Sequence, residues 1–354
     1  MKILVGMSGG IDSSAAALLL QQAGHEVIGA TMSLYNPNNP ISSNMSGSAC
    51  FGPSEKHTIE EAKAVCEKLK IPLHILDCSA QYEKFVLDNF TNEYKEGRTP
   101  NPCVLCNSYI KFGALLDEAR KKQIDFDYYA TGHYVKIVEI NNRLALAMAD
   151  DAKKDQSYFL YRLRQDQLSN IIFPLGEMTK SQSRELGMKH GFFGSEKKES
   201  QDFYSGDYVE LINWPDKVGQ IFSSSGKLLG SHNGYWNYTI GQRKGLGISA
   251  DRPLYVLSLD SSTNTVVVGY EEETYTHTLI AHSPSWMAIE RLNEPIEVIA
   301  KIRSTSKGAR AIIRMEKEGR VKVSFVEKQQ AITSGQSVVF YNEQKIILGG
   351  AIIA

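Results

Sequence analysis

Short, nearly continuous apolar runs alternate with longer segments of helical periodicity in the first part of the chain. Such runs are typical of strands that are buried on both faces of a parallel sheet. They lie at residues 3–5, 27–31, 73–76 and 128–131, and the helical segments between them lie at 13–23, 59–69 and 113–121. The alternation predicts βαβ units, and therefore an α/β fold with a doubly wound parallel sheet.

The pattern changes after residue 203. Residues 203–270 are aromatic and rich in turn-forming residues, and alternating apolar and polar positions then appear at 296–302, 311–315, 321–326 and 337–341. These alternating runs, separated by glycine or charged turns, predict a small C-terminal β-barrel. A chain of 354 residues exceeds the size at which one core usually stops growing. We therefore expect a catalytic domain at 1–203, a central domain at 204–270 and a barrel domain at 271–354.

Composition narrows the class of protein. The hydrophobic fraction of 42% is enough for sizeable cores, and the chain has neither an apolar run long enough for a membrane span nor a signal-peptide pattern. Five cysteines in a chain of this length indicate a reducing cytoplasm rather than a disulfide framework. Because the formal net charge is −1, any nucleic-acid partner must be held by local basic patches.

A glycine-rich loop follows the first apolar run. Residues 6–13 read GMSGGIDS and lead directly into a helical segment, so backbone N–H groups and a helix N-terminus converge on a phosphate-sized site. The spacing fits neither the P-loop of kinases nor the dinucleotide fingerprint. It resembles the pyrophosphate loop of the N-type ATP pyrophosphatases, which release pyrophosphate from ATP. That resemblance implies that Ser8, Gly9, Gly10 and Ser13 hold the pyrophosphate, and that Asp12 orients Mg²⁺ or the loop itself.

Two cysteines form the second chemical signal. Residues 97–107 read GRTPNPCVLCN, in which prolines on both sides of Asn101 enforce an extended loop. Cys103 and Cys106 then lie one C-x-x-C apart at the expected start of a helix. A helix N-terminus lowers a thiol pKa, and thiolates attack electrophiles, accept sulfur or bind metal. A structural zinc half-site is the alternative, although no second C-x-x-C pair accompanies it.

Several longer motifs occur in an order that resembles the bacterial tRNA-uridine 2-sulfurtransferases over essentially the whole chain. They are GMSGGIDS at 6–13, GRTPNP at 97–102, CN at 106–107, KF at 111–112, ATGHY at 130–134, KDQSYFLY at 154–161, FPLG at 173–176, TIGQRKGLG at 239–247 and GQ at 335–336. The resemblance implies ATP-dependent 2-thiolation of the wobble uridine in the tRNAs for Lys, Glu and Gln. ATP would adenylate the 2-carbonyl oxygen, pyrophosphate would leave, and sulfur would displace AMP.

The resemblance also implies roles for individual residues. Cys106 would be the catalytic cysteine, with Cys103 and Asp12 also in the catalytic set. The expected ATP-binding residues are Gly6, Met7, Ser8, Gly9, Gly10, Ile11, Asp12, Ser13, Met32 and Gly132. The expected tRNA contacts are Asn101, Pro102 and Cys103 at the target base, and His133, Lys154, Asp155, Gln156, Arg303 and Gln336 elsewhere. The sequence around Arg303 departs from the family pattern, and for His133 a merely structural role is the alternative.

Two departures from the family concern the sulfur route. The family usually has aspartate at the position of Cys103, and a second catalytic cysteine in the segment 197–204, which here ends in Tyr204 and contains none. One replacement is a 4Fe-4S cluster held by Cys50, Cys103 and Cys106, whose fourth iron would bind hydrosulfide. The other is a persulfide relay between Cys103 and Cys106. Cys66 is expected in the core, whereas Cys78 stays open as a ligand.

Other functions remain compatible with the loop. Another ligase of the same loop class, such as a tRNA lysidine synthetase, would need neither cysteine of the C-x-x-C pair. A non-catalytic tRNA-binding metal protein would not turn over ATP. The sequence leaves the sulfur donor open between a carrier protein and sulfide, and it leaves the oligomeric state undetermined.

Overall fold

The computed structural model describes residues 1–36, 51–52, 55–193, 203–204 and 208–354. The first domain contains α/β units in the predicted order. Its elements are β1 (Lys2–Gly6), α1 (Ile11–Gln22), β2 (Glu26–Ser33), α2 (Glu55–Leu69), β3 (Leu73–Asp77), α3 (Ser79–Tyr82), α4 (Asp88–Lys95), α5 (Pro102–Leu105), α6 (Leu115–Lys121), β4 (Tyr128–Ala130), β5 (Val135–Ile140), β6 (Arg143–Met148), α7 (Gln165–Leu168), β7 (Ile171–Ile172) and α8 (Lys180–Lys189). π-helical stretches join α3 to α4 (Glu83–Leu87) and α5 to α6 (Cys106–Ala114).

The central sheet confirms the predicted fold class. Its five strands lie in the order β3-β2-β1-β4-β7, and all neighbouring strands are parallel. The chain moves outward from β1 to β3, then returns to the other side of β1 with β4. This reversal between β1 and β4 leaves a crevice at the carboxyl ends of the strands, where ligands bind in folds of this kind.

A small central region and a barrel complete the chain. The central elements are α9 (Tyr208–Ile212), β8 (Gly219–Ser223), β9 (Leu228–His232), β10 (Tyr255–Asp260) and β11 (Thr265–Gly269), whose strands form a sheet in the order β10-β11-β8-β9. The barrel strands are β12 (Tyr275–Trp286), β13 (Ile296–Lys301), β14 (Ala309–Met315), β15 (Val321–Gln330), β16 (Ser337–Tyr341) and β17 (Ile347–Ile353). They close into an antiparallel barrel in the order β12-β15-β14-β13-β16-β17, which confirms the predicted C-terminal barrel.

Several element bounds differ from the sequence prediction. The helix predicted to start at the C-x-x-C pair and the helical segment predicted at 113–121 form one helical run, from Pro102 through Lys121, in which Ile110 and Phe112 are buried. Strand β7 has only two residues, which is too short to give a periodic pattern. Strands β12 and β17 were missed because β12 is largely polar and β17 contains a Gly-Gly pair.

The barrel packs firmly on the catalytic domain. Buried side chains from all three regions belong to one continuous hydrophobic cluster. The buried hydroxyl of Tyr158 donates to the carbonyl of Ser337 on β16 at 2.7 Å, and the Ser157 hydroxyl lies 3.0 Å from the Tyr341 hydroxyl. The barrel is therefore fixed beside the segment that follows β6.

Candidate active site

The loop after β1 has the shape that an anion requires. Gly10 is extended (φ −80°, ψ 170°) and α1 begins at the next residue, so the amide groups of the first helical turn face the loop. Gly9 has φ +67°, and a Cβ there would lie 2.6 Å from Cβ of Glu61 and 2.8 Å from the amide nitrogen of Ala62. Only glycine fits at this position, because helix α2 packs directly against the loop.

Hydroxyl groups fix the loop from within. The Ser8 amide donates to Oγ of Ser13 at 3.2 Å, and the two serine hydroxyls also lie 3.2 Å apart. The Ser13 hydroxyl donates to the carbonyl of Gly10 at 3.2 Å. These hydrogen bonds thus fix the conformation of the loop before a phosphate arrives, and such preorganisation is what electrostatic catalysis uses.

Asp12 is held by two side chains that are far away in the sequence. Its Oδ1 accepts a hydrogen bond from Nζ of Lys180 at 2.6 Å and one from the Tyr134 hydroxyl at 2.8 Å. The Lys180 side chain is 12% exposed. Of the two roles expected for Asp12, these contacts supply the anchoring of the loop.

Sequence reasoning missed Lys180. The residue is the first of α8, where a positive charge opposes the helix dipole. That unfavourable placement was the only signal available, and it indicates that the lysine serves something other than the helix.

The remaining expected adenosine residues lie at the same edge of the sheet. Met32 is near the end of β2, and Gly132 follows β4 by two residues. A Cβ at Gly132 would lie 2.5 Å from the carbonyl carbon of Asp12, so this glycine lets the β4 segment touch the start of α1. The structure thus brings residues 6–13, Met32 and Gly132 together.

The C-x-x-C pair lies at the start of the helical segment, as predicted. Pro102 is the first residue of α5, Asn101 precedes it, and Cys103 and Cys106 are both half-buried. Phe112, on the same helical segment, packs edge-to-face on Tyr129 of β4, with ring centroids 5.5 Å apart. Burial raises the pKa of Tyr129, and electrostatic interaction with Cys78 and Cys106 raises it further.

Tyr129 also reaches the phosphate loop. A Cβ at Gly6 would lie 2.6 Å from the Tyr129 hydroxyl. The ring therefore lies between the phosphate loop and the helical segment that carries the two cysteines. No local motif singles out this tyrosine in the sequence.

The barrel holds the loop that precedes the cysteines. Nε2 of Gln336 donates to the carbonyl of Thr99 at 3.1 Å and to that of Pro100 at 2.8 Å. The Thr99 amide donates to the carbonyl of Ser334 at 2.8 Å, and the Asn101 side chain hydrogen-bonds Tyr158. Gln336 was predicted to contact tRNA. In the structure it hydrogen-bonds to the loop that is predicted to meet the target base, and it holds that loop in place.

The other expected tRNA contacts fall in different environments. His133 is only 8% exposed, its Nδ1 lies 2.8 Å from Oγ1 of Thr131, and its ring packs on Phe112. Burial holds the pKa of His133 well below its usual value. These contacts match the structural alternative considered for this histidine.

The 154–156 segment is partly structural as well. Asp155 accepts hydrogen bonds from the Ala149 amide and the Ser157 hydroxyl, and Oε1 of Gln156 accepts one from the Tyr134 amide. Lys154 is half-buried beside them. Arg303 is exposed, and its guanidinium donates to the carbonyl of Ala331.

Two of the three cysteines expected to hold a cluster lie within the described residues. Cys103 and Cys106 are half-buried and spaced by one helical turn, so this pair fits two ligands of a cluster. Cys50 lies outside the described residues, and the described part of the chain holds no group of three His, Cys, Asp or Glu arranged for a metal. Cys78 is fully buried, and desolvation raises its pKa to about 12, which argues against it as a ligand. Cys66 lies in the core, as expected.

The structure describes residues 203–204, the end of the segment in which the family usually has its second catalytic cysteine. Tyr204 is 2% exposed and its hydroxyl donates to Oε2 of Glu210 at 2.6 Å. Its ring is part of the hydrophobic core, and the chain contains no cysteine after Cys106. This segment therefore offers no thiol partner.

Comparison with known proteins places the chain in a family. Three family models match it: the tRNA methyl transferase HUP domain over residues 1–204, the tRNA methyl transferase PRC-barrel domain over 211–270 and the aminomethyltransferase beta-barrel domain over 276–353.

None of the helices in the described ranges is long and apolar enough to cross a bilayer.

Relatives that match over their full length are named for thiolation. The chain is 47% identical to the tRNA-specific 2-thiouridylase MnmA of Endomicrobium trichonymphae over 357 residues, which cover 100% of the chain and 99% of that protein. It is 46% identical to the tRNA-specific 2-thiouridylase MnmA of Clostridium botulinum strain Alaska E43 over 360 residues, with 99% and 97% covered.

A solved structure, the U34-tRNA thiolase NcsA of Methanococcus maripaludis with its 4Fe-4S cluster, is 20% identical with a TM-score of 0.35. That match covers 56% of this chain and 60% of the other. So distant a likeness carries no argument about a cluster here.

Proposed function

The chain belongs to the family of tRNA-specific 2-thiouridylases, which are sulfurtransferases, and we propose that it replaces the 2-oxygen of the wobble uridine with sulfur at the expense of ATP. The observation that carries the proposal is the junction at Tyr129, where the phosphate loop and the Cys103–Cys106 helix meet. A ligase of the same loop class has no use for two half-buried cysteines beside its phosphate site. The domain division at 1–203, 204–270 and 271–354 is part of the proposal, and the bounds of the three matching family models support it.

The first half-reaction uses the loop. The 2-carbonyl oxygen of uridine attacks the α-phosphorus of ATP, the bond to the bridging oxygen breaks, and pyrophosphate leaves. The loop of residues 6–13, held in shape by its serine hydroxyls, would hold the departing pyrophosphate, and Mg²⁺ bound there would offset its charge. Lys180 and Tyr134 keep Asp12 in its position, and Met32 and Gly132 line the adenosine side. The adenylated uridine now carries AMP as a leaving group.

The second half-reaction needs sulfur at C2 of the base. Asn101, Pro102 and Cys103 meet the base on the loop that Gln336 holds, and Cys106 lies one helical turn further on. In the persulfide route, the Cys106 thiolate takes the terminal sulfur from a persulfide of the carrier protein, whose thiolate leaves. The terminal sulfur of the resulting Cys106 persulfide attacks C2 and AMP leaves. The thiolate of Cys103 then attacks the sulfur of Cys106, which forms a disulfide and releases the thiolated base.

A cluster is the second route. A 4Fe-4S cluster on Cys103, Cys106 and Cys50 would supply an open iron for hydrosulfide. The half-buried C-x-x-C turn fits two of those ligands. The choice between the two routes, the tRNAs for Lys, Glu and Gln as substrates, and the carrier protein or sulfide as donor all belong to the proposal.

The test is thiolation of an unmodified tRNA transcript with a wobble uridine. Protein purified and assayed without oxygen is supplied with ATP, Mg²⁺ and, in separate reactions, either sulfide or a carrier protein that bears a persulfide. The digested nucleosides are analysed by mass spectrometry. We expect 2-thiouridine together with AMP and pyrophosphate. Methylated uridine, or no change with ATP turnover absent, would refute the proposed function.

A further inference from the structure

The side-chain oxygen of Asn107 is a buried acceptor to which no group donates. Asn107 follows Cys106 directly in the chain and is only 4% exposed. Its Nδ2 donates to the carbonyl of Phe159 at 3.3 Å. Within the described ranges, its Oδ1 is one of two buried side-chain atoms without a hydrogen-bond partner, and the other, Nε2 of His232, belongs to the central sheet. An amide oxygen left unpaired in the interior is costly, so Oδ1 of Asn107 points to a ligand that donates to it.

Asn107 lies beside the residues that are expected to meet the target base. It follows Cys103 by four residues, and residues at this spacing share one face of a helix. Asn101, on the other side of Cys103, hydrogen-bonds Tyr158, and Asn107 hydrogen-bonds the next residue, Phe159. The two asparagines are thus tied to consecutive residues of one 3₁₀ turn. The free acceptor therefore lies next to the expected base contacts.

The chemistry of the base indicates what the donor is. Both uracil and cytosine carry the 2-carbonyl that the reaction attacks, so an enzyme that thiolates uridine must read a different atom. Uracil has one donor on its Watson–Crick edge, N3–H, whereas N3 of cytosine is an acceptor. Proteins read an unstacked base by hydrogen bonds to this edge. An acceptor from the protein at N3 would therefore favour uracil and oppose cytosine.

Resting on the proposed function, we infer that Asn107 determines the choice of base, because its Oδ1 accepts the N3–H of uracil. Since N3 is bonded to C2, the same contact holds the reacting carbonyl beside the C-x-x-C pair. The bond from Nδ2 to Phe159 is long for an N–H···O bond, so the side chain is lightly held. Side-chain rotation on binding, which is common at binding sites, brings Oδ1 to the base.

The test measures the binding of two tRNA transcripts that differ only in the wobble base, uridine or cytidine. Full-length wild type, Asn107→Leu and Gln167→Leu are compared in the presence of an α,β-methylene analogue of ATP, which cannot release pyrophosphate. Gln167 is the matched control, because it is a half-buried amide whose Nε2 donates to the carbonyl of Phe112 on the same helical run at 2.6 Å. Both variants thus lose an amide bond to a main-chain carbonyl of similar environment.

The expected result is a change in the ratio of the two affinities. Wild type should bind the uridine transcript about tenfold more tightly than the cytidine transcript. In Asn107→Leu, affinity for the uridine transcript should fall to that for the cytidine transcript, so the ratio becomes about one. Gln167→Leu should keep the wild-type ratio. If Asn107→Leu does not fold, Asn107→Ala is measured in its place, and the wild-type ratio tests the inference without any variant.

Three outcomes would overturn the inference. The first is equal affinity of the wild type for the two transcripts, and the second is a wild-type ratio that persists in Asn107→Leu. The third is a persistent ratio with weaker binding of the ATP analogue, which would assign the acceptor to the amino group of adenine. Thiolation of the uridine transcript by the wild type is measured in parallel with ATP. Failure of the proposed function is seen there as missing 2-thiouridine, whereas failure of this inference is seen only in the binding ratio.

Discussion

Replacing Lys180 by methionine tests the electrostatics of the phosphate loop. At the observed Nζ–Oδ1 separation of 2.6 Å, an effective dielectric constant of about 20 gives an attraction of roughly 6 kcal/mol. That figure is an upper limit, and a hydrogen bond between charged groups contributes a net 1.5–3 kcal/mol or so. Without the lysine, the Asp12 carboxylate faces the phosphates of ATP without its cation. We expect ATP affinity to fall by about 10- to 100-fold.

The double variant makes the reasoning specific. Lys180→Met combined with Asp12→Asn removes the uncompensated charge, so ATP binding should recover most of what the single variant lost. Adenylation of tRNA should remain slow, because Asp12 anchors the loop through Tyr134 and Lys180. Equilibrium ATP binding and tRNA-dependent AMP formation measure the two effects separately.

Lys189→Met is the matched control, since Lys189 is exposed at the other end of α8. It should bind ATP like the wild type. Normal ATP affinity in Lys180→Met, or a double variant that binds ATP no better than the single one, would refute the reasoning.

Three further predictions concern chemistry, positioning and pH. Cys106→Ser should abolish thiolation while ATP binding persists. Iron and sulfide analysis of anaerobically purified Cys103→Ser decides between the two sulfur routes. Loss of bound iron relative to the wild type supports the cluster, whereas an iron-free wild type that thiolates fully supports the relay. Gln336→Leu removes the two hydrogen bonds to the carbonyls of residues 99 and 100, so it should lower the thiolation rate at saturating tRNA by about 10-fold. ATP affinity should not change. An effect on tRNA affinity alone would contradict the role of Gln336 in holding this loop. Because burial lowers the pKa of His133, the unfolded chain takes up a proton at this residue at a higher pH than the folded chain does. The His133 contribution to the free energy of unfolding should therefore be complete above pH 6.5, and the free energy of unfolding should fall below that pH by about 1.4 kcal/mol per pH unit. His133→Asn should flatten that slope in urea unfolding measured at several pH values, and an unchanged slope would exclude His133 as its source.

The sequence by itself determined the features that are written in consecutive residues. A strand, a glycine turn and a helix start within residues 1–15 specify the phosphate loop, because each conformation depends on its own few residues. The parallel strands were visible as apolar runs, and the helix start at the C-x-x-C pair was visible from Pro102. The C-terminal barrel followed from alternation, although β12 and β17 had too few regular apolar positions to be recognised.

Only the tertiary structure decided which distant side chains serve the site. Lys180 lies 168 residues from Asp12, and Gln336 lies 236 residues from Pro100. Neither pairing leaves a periodicity or a local motif, because each depends on how the sheet, α8 and the barrel pack. Local spacing fixes backbone conformation, whereas the burial of a charge and the identity of its partner follow from contacts that form only when the whole chain has folded.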